Sequence, residues 1–146
     1  MNDSHAIHGL RTRWPHLPEA CVVPYAAFTN AAYYQQEQER IFRGDTWNFI
    51  GLEAEIPKPG DFKATQIGDT PVIITRDELG AVNVLQNRCA HRGALVCREP
   101  RGNAARLQCV YHQWAYDLRG NLLSVPFRRG VRGKGGMPSG FELGAH

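Results

Sequence analysis

The sequence contains no apolar run near the roughly 18 residues that a membrane helix needs. It shows no secretory leader: the opening stretch carries His5, His8, Arg11, Arg13 and Pro15 and no apolar centre. Charge of one sign is scarce. The 17 basic and 14 acidic residues leave a net charge of +3, and they interleave through most of the chain. That excludes the dense basic face that nucleic acid requires, so no nucleic-acid or membrane partner is expected. Cysteine is limited to Cys21, Cys89, Cys97 and Cys109. With no leader, the reading is a cytoplasmic, reducing compartment in which these are thiols or metal ligands and not disulfides. No internal repeat is visible. A hydrophobic content of 42% argues against wholesale disorder, and 146 residues suit one compact domain with tails.

Pattern divides the chain into four stretches. Residues 1–28 read as an extended arm, broken by Pro15, Pro18 and Pro24. Residues 29–43 read as one α-helix, capped by Thr29 or Asn30, with Tyr33, Tyr34, Ile41 and Phe42 as its apolar side and Gly44 as its stop. From residue 44 to 127 the pattern becomes short strands. WNFIGL, DFKATQI, VIITR, AVNVLQN, RLQCV and AYDLRGNLL are separated by turns at Gly68-Asp69, Asp77–Gly80 and Gly120-Asn121. The fold class is therefore mainly β, a small antiparallel barrel or sandwich preceded by an arm and one helix. Residues 128–146 are rich in Gly and Arg. They lack apolar residues for their own core, and are expected to hang free or to pack on something outside this chain.

Two pairs of soft and borderline ligands stand out: Cys89-Ala90-His91 and Cys109-Val110-Tyr111-His112, with 17 residues between His91 and Cys109. Each follows a strand-like run, so two loops at one end of a β domain can converge on one site. Tetrahedral zinc is one reading, although zinc modules usually group their cysteines together and their histidines together. Chance thiols and core histidines are another. A binuclear iron–sulfur cluster suits the distribution best: one iron takes two thiolates and the other two imidazoles. Such a cluster is about neutral when oxidised, against about −2 with four thiolates. An added electron therefore costs less, and the potential lies in the range of roughly −150 to +300 mV.

At these residues the chain resembles the Rieske family. The stretch NRCAHRGALVC…LQCVYHQWAYDLRGNL is similar to the cluster-binding core of the large (α) subunits of Rieske non-haem iron aromatic-ring-hydroxylating oxygenases. The likeness runs from the helix and RGDTWNFIGLEAEIPKPGDF to PFRRGVRGKGGMP, where it looks closest to oxygenases of aromatic carboxylates such as terephthalate, anthranilate and salicylate. The resemblance implies a Rieske-type domain over 44–127 whose two loops hold a [2Fe-2S] cluster through Cys89, His91, Cys109 and His112. It implies an electron donor, either a reductase or a ferredoxin, and homotrimers of full-length large subunits, with or without a small β subunit. It also implies a mononuclear Fe(II) in a catalytic domain that residues 1–146 do not include. The remaining histidines, His5, His8, His16 and His146, supply no facial triad. The chain is thus expected to be the N-terminal part of a large subunit, to carry electrons, and not to hydroxylate a ring by itself; no catalytic residue is assigned. A self-contained Rieske ferredoxin-type carrier is the alternative, which the arm, helix and basic tail disfavour.

Other residues receive plainer readings. The bridge between loops found in respiratory Rieske proteins has Ala94 and Tyr111 at its matching positions, so none can form. Trp114 replaces a serine that bonds a cluster sulfide there, which points to a potential near the low end of the class. Gln113 stands where the family often has Gly, a change expected to perturb the loop but not ligation. Gly93 is expected to let backbone approach the sulfides, and Arg92 to be a surface or interface ion-pair residue. Trp114 and Tyr116 shield the cluster or fill the core. Cys97 is a small buried apolar side chain, Cys21 an incidental thiol, and Asp3, His5 and His8 an adventitious metal site at most. Arg128, Arg129, Arg132 and Lys134 suit an interdomain or intersubunit contact. The two ligand loops, with no other anchor, should depend on their metal for stability.

Overall fold

The computed structural model describes residues 23–145, and the chain divides into two compact units, the first ending at Glu37 and the second beginning at Gln38. The arm, with Cys21, Asp3, His5, His8 and His16, falls outside the described residues apart from its last few positions, and so does His146. In the first unit a four-residue helix, Ala26–Thr29, is followed by the helix Ala31–Glu37. Asn30 is the working cap: its Oδ1 accepts from the Ala32 N–H at 2.8 Å.

The second unit opens with a π-helical turn, Gln38–Phe42. The helix expected over 29–43 is therefore present in pieces, with wider winding at its end. Gly44 does stop it, because a Cβ there would strike the carbonyl of Arg40. Gln38 is buried, and its Oε1 accepts the Asp69 N–H at 2.8 Å, tying the turn to the first hairpin.

Two four-stranded antiparallel sheets follow. One contains β1 (Asp61–Ile67), β2 (Thr70–Arg76), β3 (Val82–Gln86) and β4 (Arg101–Asn103), in the order β3-β2-β1-β4. The other contains β5 (Leu107–Gln108), β6 (Ala115–Tyr116), β7 (Asn121–Ser124) and β8 (Gly144–Ala145), in chain order. The central strand β2 buries Val72, Ile73, Ile74 and Thr75 in succession. Between the sheets lies one core of Phe62, Ile73, Leu107, Tyr116, Leu118 and Leu122, joined by Cys89, Cys97, Cys109, Val96 and Trp114. Two polar clamps cross it. The Thr75 hydroxyl donates to the Leu118 carbonyl at 2.6 Å, and Arg119 Nε meets the buried Asp77 carboxylate at 2.8 Å. They join the end of β2 and the turn that follows it to the turn after β6, so hairpins from different sheets are tied together there.

Two expectations fail here. WNFIGL is not a strand: residues 47–52 have no regular structure, and Trp47, Phe49 and Leu52 are exposed. Its β-prone side chains have no neighbouring strand among the described residues, and propensity without a pairing partner does not make a strand. The tail does not hang free. Its end forms β8 on β7, Met137 and Phe141 pack against the core, and the Met137 N–H donates to the Arg128 carbonyl at 2.9 Å. A few apolar side chains suffice because they join a core that already exists.

Candidate metal centre

The first ligand loop links β3 to β4, and the second links β5 to β6. Both leave the sheets at the same end. Although unrelated in connectivity, they share one backbone design. In the first, the Cys89 N–H donates to the Ala94 carbonyl and the Gly93 N–H to the Cys89 carbonyl, both at 2.7 Å. In the second, the Cys109 N–H donates to the Trp114 carbonyl and the Gln113 N–H to the Cys109 carbonyl, both at 2.9 Å. The fifth residue of each turn is left-handed, with φ of 70° at Gly93 and 56° at Gln113. Gln113 thus occupies the position that glycine fills in the first loop, and this is the physical content of its departure from the family pattern. At Gly93 it is backbone conformation and not crowding that calls for glycine, since a Cβ there meets no protein atom within 4 Å.

The loops have anchors of their own, contrary to expectation. Asn87, only 4% exposed, spans the first like a clasp. Its Oδ1 accepts the Val96 and Cys97 N–H groups at 3.0 and 2.9 Å, and its Nδ2 donates to the Cys97 carbonyl at 2.8 Å. The sequence carries no signal for this role, because the partners are ten residues away and meet only when the loop closes.

The four candidate ligands line one cavity of about 640 Å³, together with Arg92, Gly93, Arg98 and Tyr111. They divide by depth. Cys89 and Cys109 are 3% and 1% exposed, at the inner end; His91 is half-buried and His112 exposed, at the outer end. The two imidazoles present Nδ1 to Nδ1 at 3.2 Å, with ring planes 82° apart. Two nitrogens bound to one tetrahedral metal at about 2.1 Å would stand about 3.4 Å apart, so the pair is spaced as ligands of a single ion. Among the described residues no three His, Cys, Asp or Glu side chains converge on one point.

The surroundings act on both pairs. Tyr116, missed as a polar partner by sequence reasoning, places its hydroxyl 3.2 Å from Cys89 Sγ and accepts the Ala90 N–H at 3.0 Å. Its own pKa is pushed up by burial first, then by the Cys89 hydrogen bond and the Cys89 and Cys109 charges, so it stays a donor. His91 lies stacked on Trp114, centroids 4.9 Å apart and planes within 11°. Burial, then His112 and Arg92, hold its pKa below the ordinary value, a shift toward the neutral form that a ligand needs. Arg92 is exposed and makes no ion pair among the described residues, so its reading as a salt-bridge residue has no support within the chain. Cys97 is buried with its thiol donating to the Glu99 carbonyl at 3.3 Å, and burial raises its pKa, as befits a packing residue.

Comparison with known proteins agrees with this geometry. Residues 46–133 match the family model of the Rieske [2Fe-2S] domain. The large subunit of anthranilate 1,2-dioxygenase from Burkholderia cepacia is 62% identical over 124 residues, which cover 85% of this chain and 29% of that protein. The large oxygenase component of salicylate 5-hydroxylase from Ralstonia sp. is 54% identical over 128 residues, 85% of this chain and 30% of that one. Among solved structures, naphthalene 1,2-dioxygenase from Rhodococcus sp. bound to indole superposes with a TM-score of 0.69 at 37% identity, over 83% of this chain and 27% of that chain. The chain thus spans under a third of the length of these relatives. No helix among the described residues is long and apolar enough to cross a membrane. Two matched loops on a two-sheet β core, and a family match that covers both, lead to one conclusion: the chain belongs to the Rieske [2Fe-2S] domain family, in the form found in ring-hydroxylating oxygenase large subunits.

Proposed function

We propose that Cys89 and Cys109 hold one iron and His91 and His112 the other of a [2Fe-2S] cluster. We further propose that the chain serves electron transfer to the mononuclear iron of an oxygenase that hydroxylates an aromatic carboxylate. The observation that carries the reading is the division of one cavity into a buried thiol pair and a half-exposed imidazole pair with nitrogens 3.2 Å apart. Bound there, the cluster supplies reversible one-electron storage. The protein's part is environmental. The core around Cys89 and Cys109 excludes water from the sulfur side, and the Tyr116 hydroxyl donates toward Cys89 Sγ. The exposed His112 ring brings the nitrogen side to the surface, where a redox partner can approach.

The donor is read as a reductase or ferredoxin, and the assembly as a trimer of full-length large subunits, with or without a small β subunit. The choice of an aromatic carboxylate rests on the names of the similar proteins, which include anthranilate and terephthalate dioxygenases.

The test is anaerobic reconstitution of the chain with iron and sulfide. A brown protein is expected, with acid-labile sulfide equal to iron and a reduced-state electron paramagnetic resonance signal. His112→Cys should lower the potential or lose the cluster. Colourless material, or an unchanged potential in that variant, rejects the ligand assignment. The longer protein, supplied with reductant and dioxygen, should hydroxylate one of the three aromatic acids; activity confined to uncharged aromatics would reject the substrate class.

A further inference from the structure

The two imidazoles are not held alike. His112 is exposed, and its nearest other ring, Tyr111, lies 6.0 Å away and is tilted. His91 rests flat on Trp114, which is 6% exposed. Trp114 in turn meets the edge of Phe141, centroids 5.8 Å apart and planes at 67°. Phe141 belongs to the tail, 27 residues beyond Trp114. It is also held by Arg128: the guanidinium carbon lies 6.0 Å from the ring centroid, and one of its N–H groups donates to the Phe141 carbonyl at 2.6 Å. The Phe141 N–H donates to Pro138, and the Met137 N–H returns to the Arg128 carbonyl at 2.9 Å. The segment from Arg128 to Phe141 is thus a closed loop that sets an aromatic ring at a steep angle against Trp114.

We propose that Phe141 is a positioning residue for the metal centre: through Trp114 it fixes the plane of the His91 imidazole and keeps water from one face of that ring. The inference rests on the reading of His91 and His112 as ligands. A stacked ring cannot turn about its Cβ–Cγ bond without losing the stack, and Trp114 cannot tilt away while Phe141 stands behind it. Ligand orientation and dielectric are means by which surroundings tune a bound metal. The plane of the His91 ring is therefore backed, through a stacked indole, by a segment outside both ligand loops, whereas among the described residues no stacked ring backs His112.

The test uses the reconstituted 146-residue chain, reduced and studied by pulsed electron paramagnetic resonance, which resolves the ¹⁴N couplings of the two histidines. Phe141→Leu keeps apolar bulk and removes the ring edge. One of the two couplings should shift while the other stays. The potential should rise, because water reaching His91 favours the more negative reduced state. Phe141→Tyr should restore the wild-type couplings and potential. Two unshifted couplings and an unchanged potential in Phe141→Leu overturn the proposal. Should that variant not fold, Arg128→Gln, which removes the guanidinium that holds Phe141, must shift one of the two couplings from its wild-type value and leave the other, or the proposal fails. A wild-type signal without two nitrogen couplings would overturn the ligand reading itself, a result distinct from either.

Discussion

Replacing Tyr116 with Phe removes one oxygen and leaves the buried ring in place. That oxygen lies 3.2 Å from Cys89 Sγ and 3.0 Å from the Ala90 nitrogen. A hydrogen bond to a charged acceptor contributes about 1.5–3 kcal/mol in all. Only the part that differs between oxidation states affects the potential. Reduction adds negative charge and strengthens the bond, so the hydroxyl favours the reduced state and its loss must lower the potential. If a third of the bond is redox-dependent, the difference is about 0.5–1 kcal/mol, or about 20–45 mV for a one-electron couple. Spectroelectrochemical titration of the reconstituted chain at one fixed pH reads this directly. The companion loss of stability should stay near 1–2 kcal/mol, since ring packing survives. A potential that is unchanged or raised, with the cluster retained, would refute the claim that Tyr116 donates to the thiolate.

Three further outcomes are expected. Gln113→Gly should stabilise the domain by about 0.5–1 kcal/mol, because relief of a left-handed non-glycine residue exceeds the entropy that glycine adds to the unfolded chain; urea unfolding measures it, and destabilisation would show that the φ of 56° carries no strain. Asn87→Ala should cost about 3 kcal/mol by stranding three buried backbone groups of the first loop; a loss below about 1 kcal/mol on the same assay would mean that water replaces the clasp. Asp77 gives a pH dependence. Burial pushes its pKa up, but the Ala81 N–H, Arg119 and the Leu79 N–H outweigh this and leave it below its ordinary value of 3.8. Stability from these contacts is present above that value and is lost as pH falls through the lower folded pKa. Asp77→Asn should therefore be less stable than wild type at neutral pH and lose less on acidification below about pH 4; parallel acid-unfolding curves would rule this out.

Much was legible in residue order because some constraints are local. The hairpin of β2 and β3 follows from two strand-like runs about Asp77–Gly80, and the observed register pairs Arg76 with Val82 across that turn. The candidate ligand pairs were visible as well, since Cys89 with His91 and Cys109 with His112 are short-range pairs, and the structure brings all four to one cavity. Failures came where structure depends on a partner distant in the chain. WNFIGL has strand-like residues but nothing to pair with among the described residues. The tail has a loop-like composition, yet its last residues complete a sheet begun at Leu107.

By itself, then, the sequence determined which candidate donors are present, the turns and the class of the fold, because a thiol, an imidazole or a glycine has its properties wherever it stands. Tertiary structure alone decided which donors lie deep and which face outward, that Tyr116 reaches Cys89, that Asn87 closes the first loop, and that Phe141 stands behind Trp114. Those are contacts across 9 to 27 residues of chain, made only when two sheets close on a shared core, and no local preference encodes them.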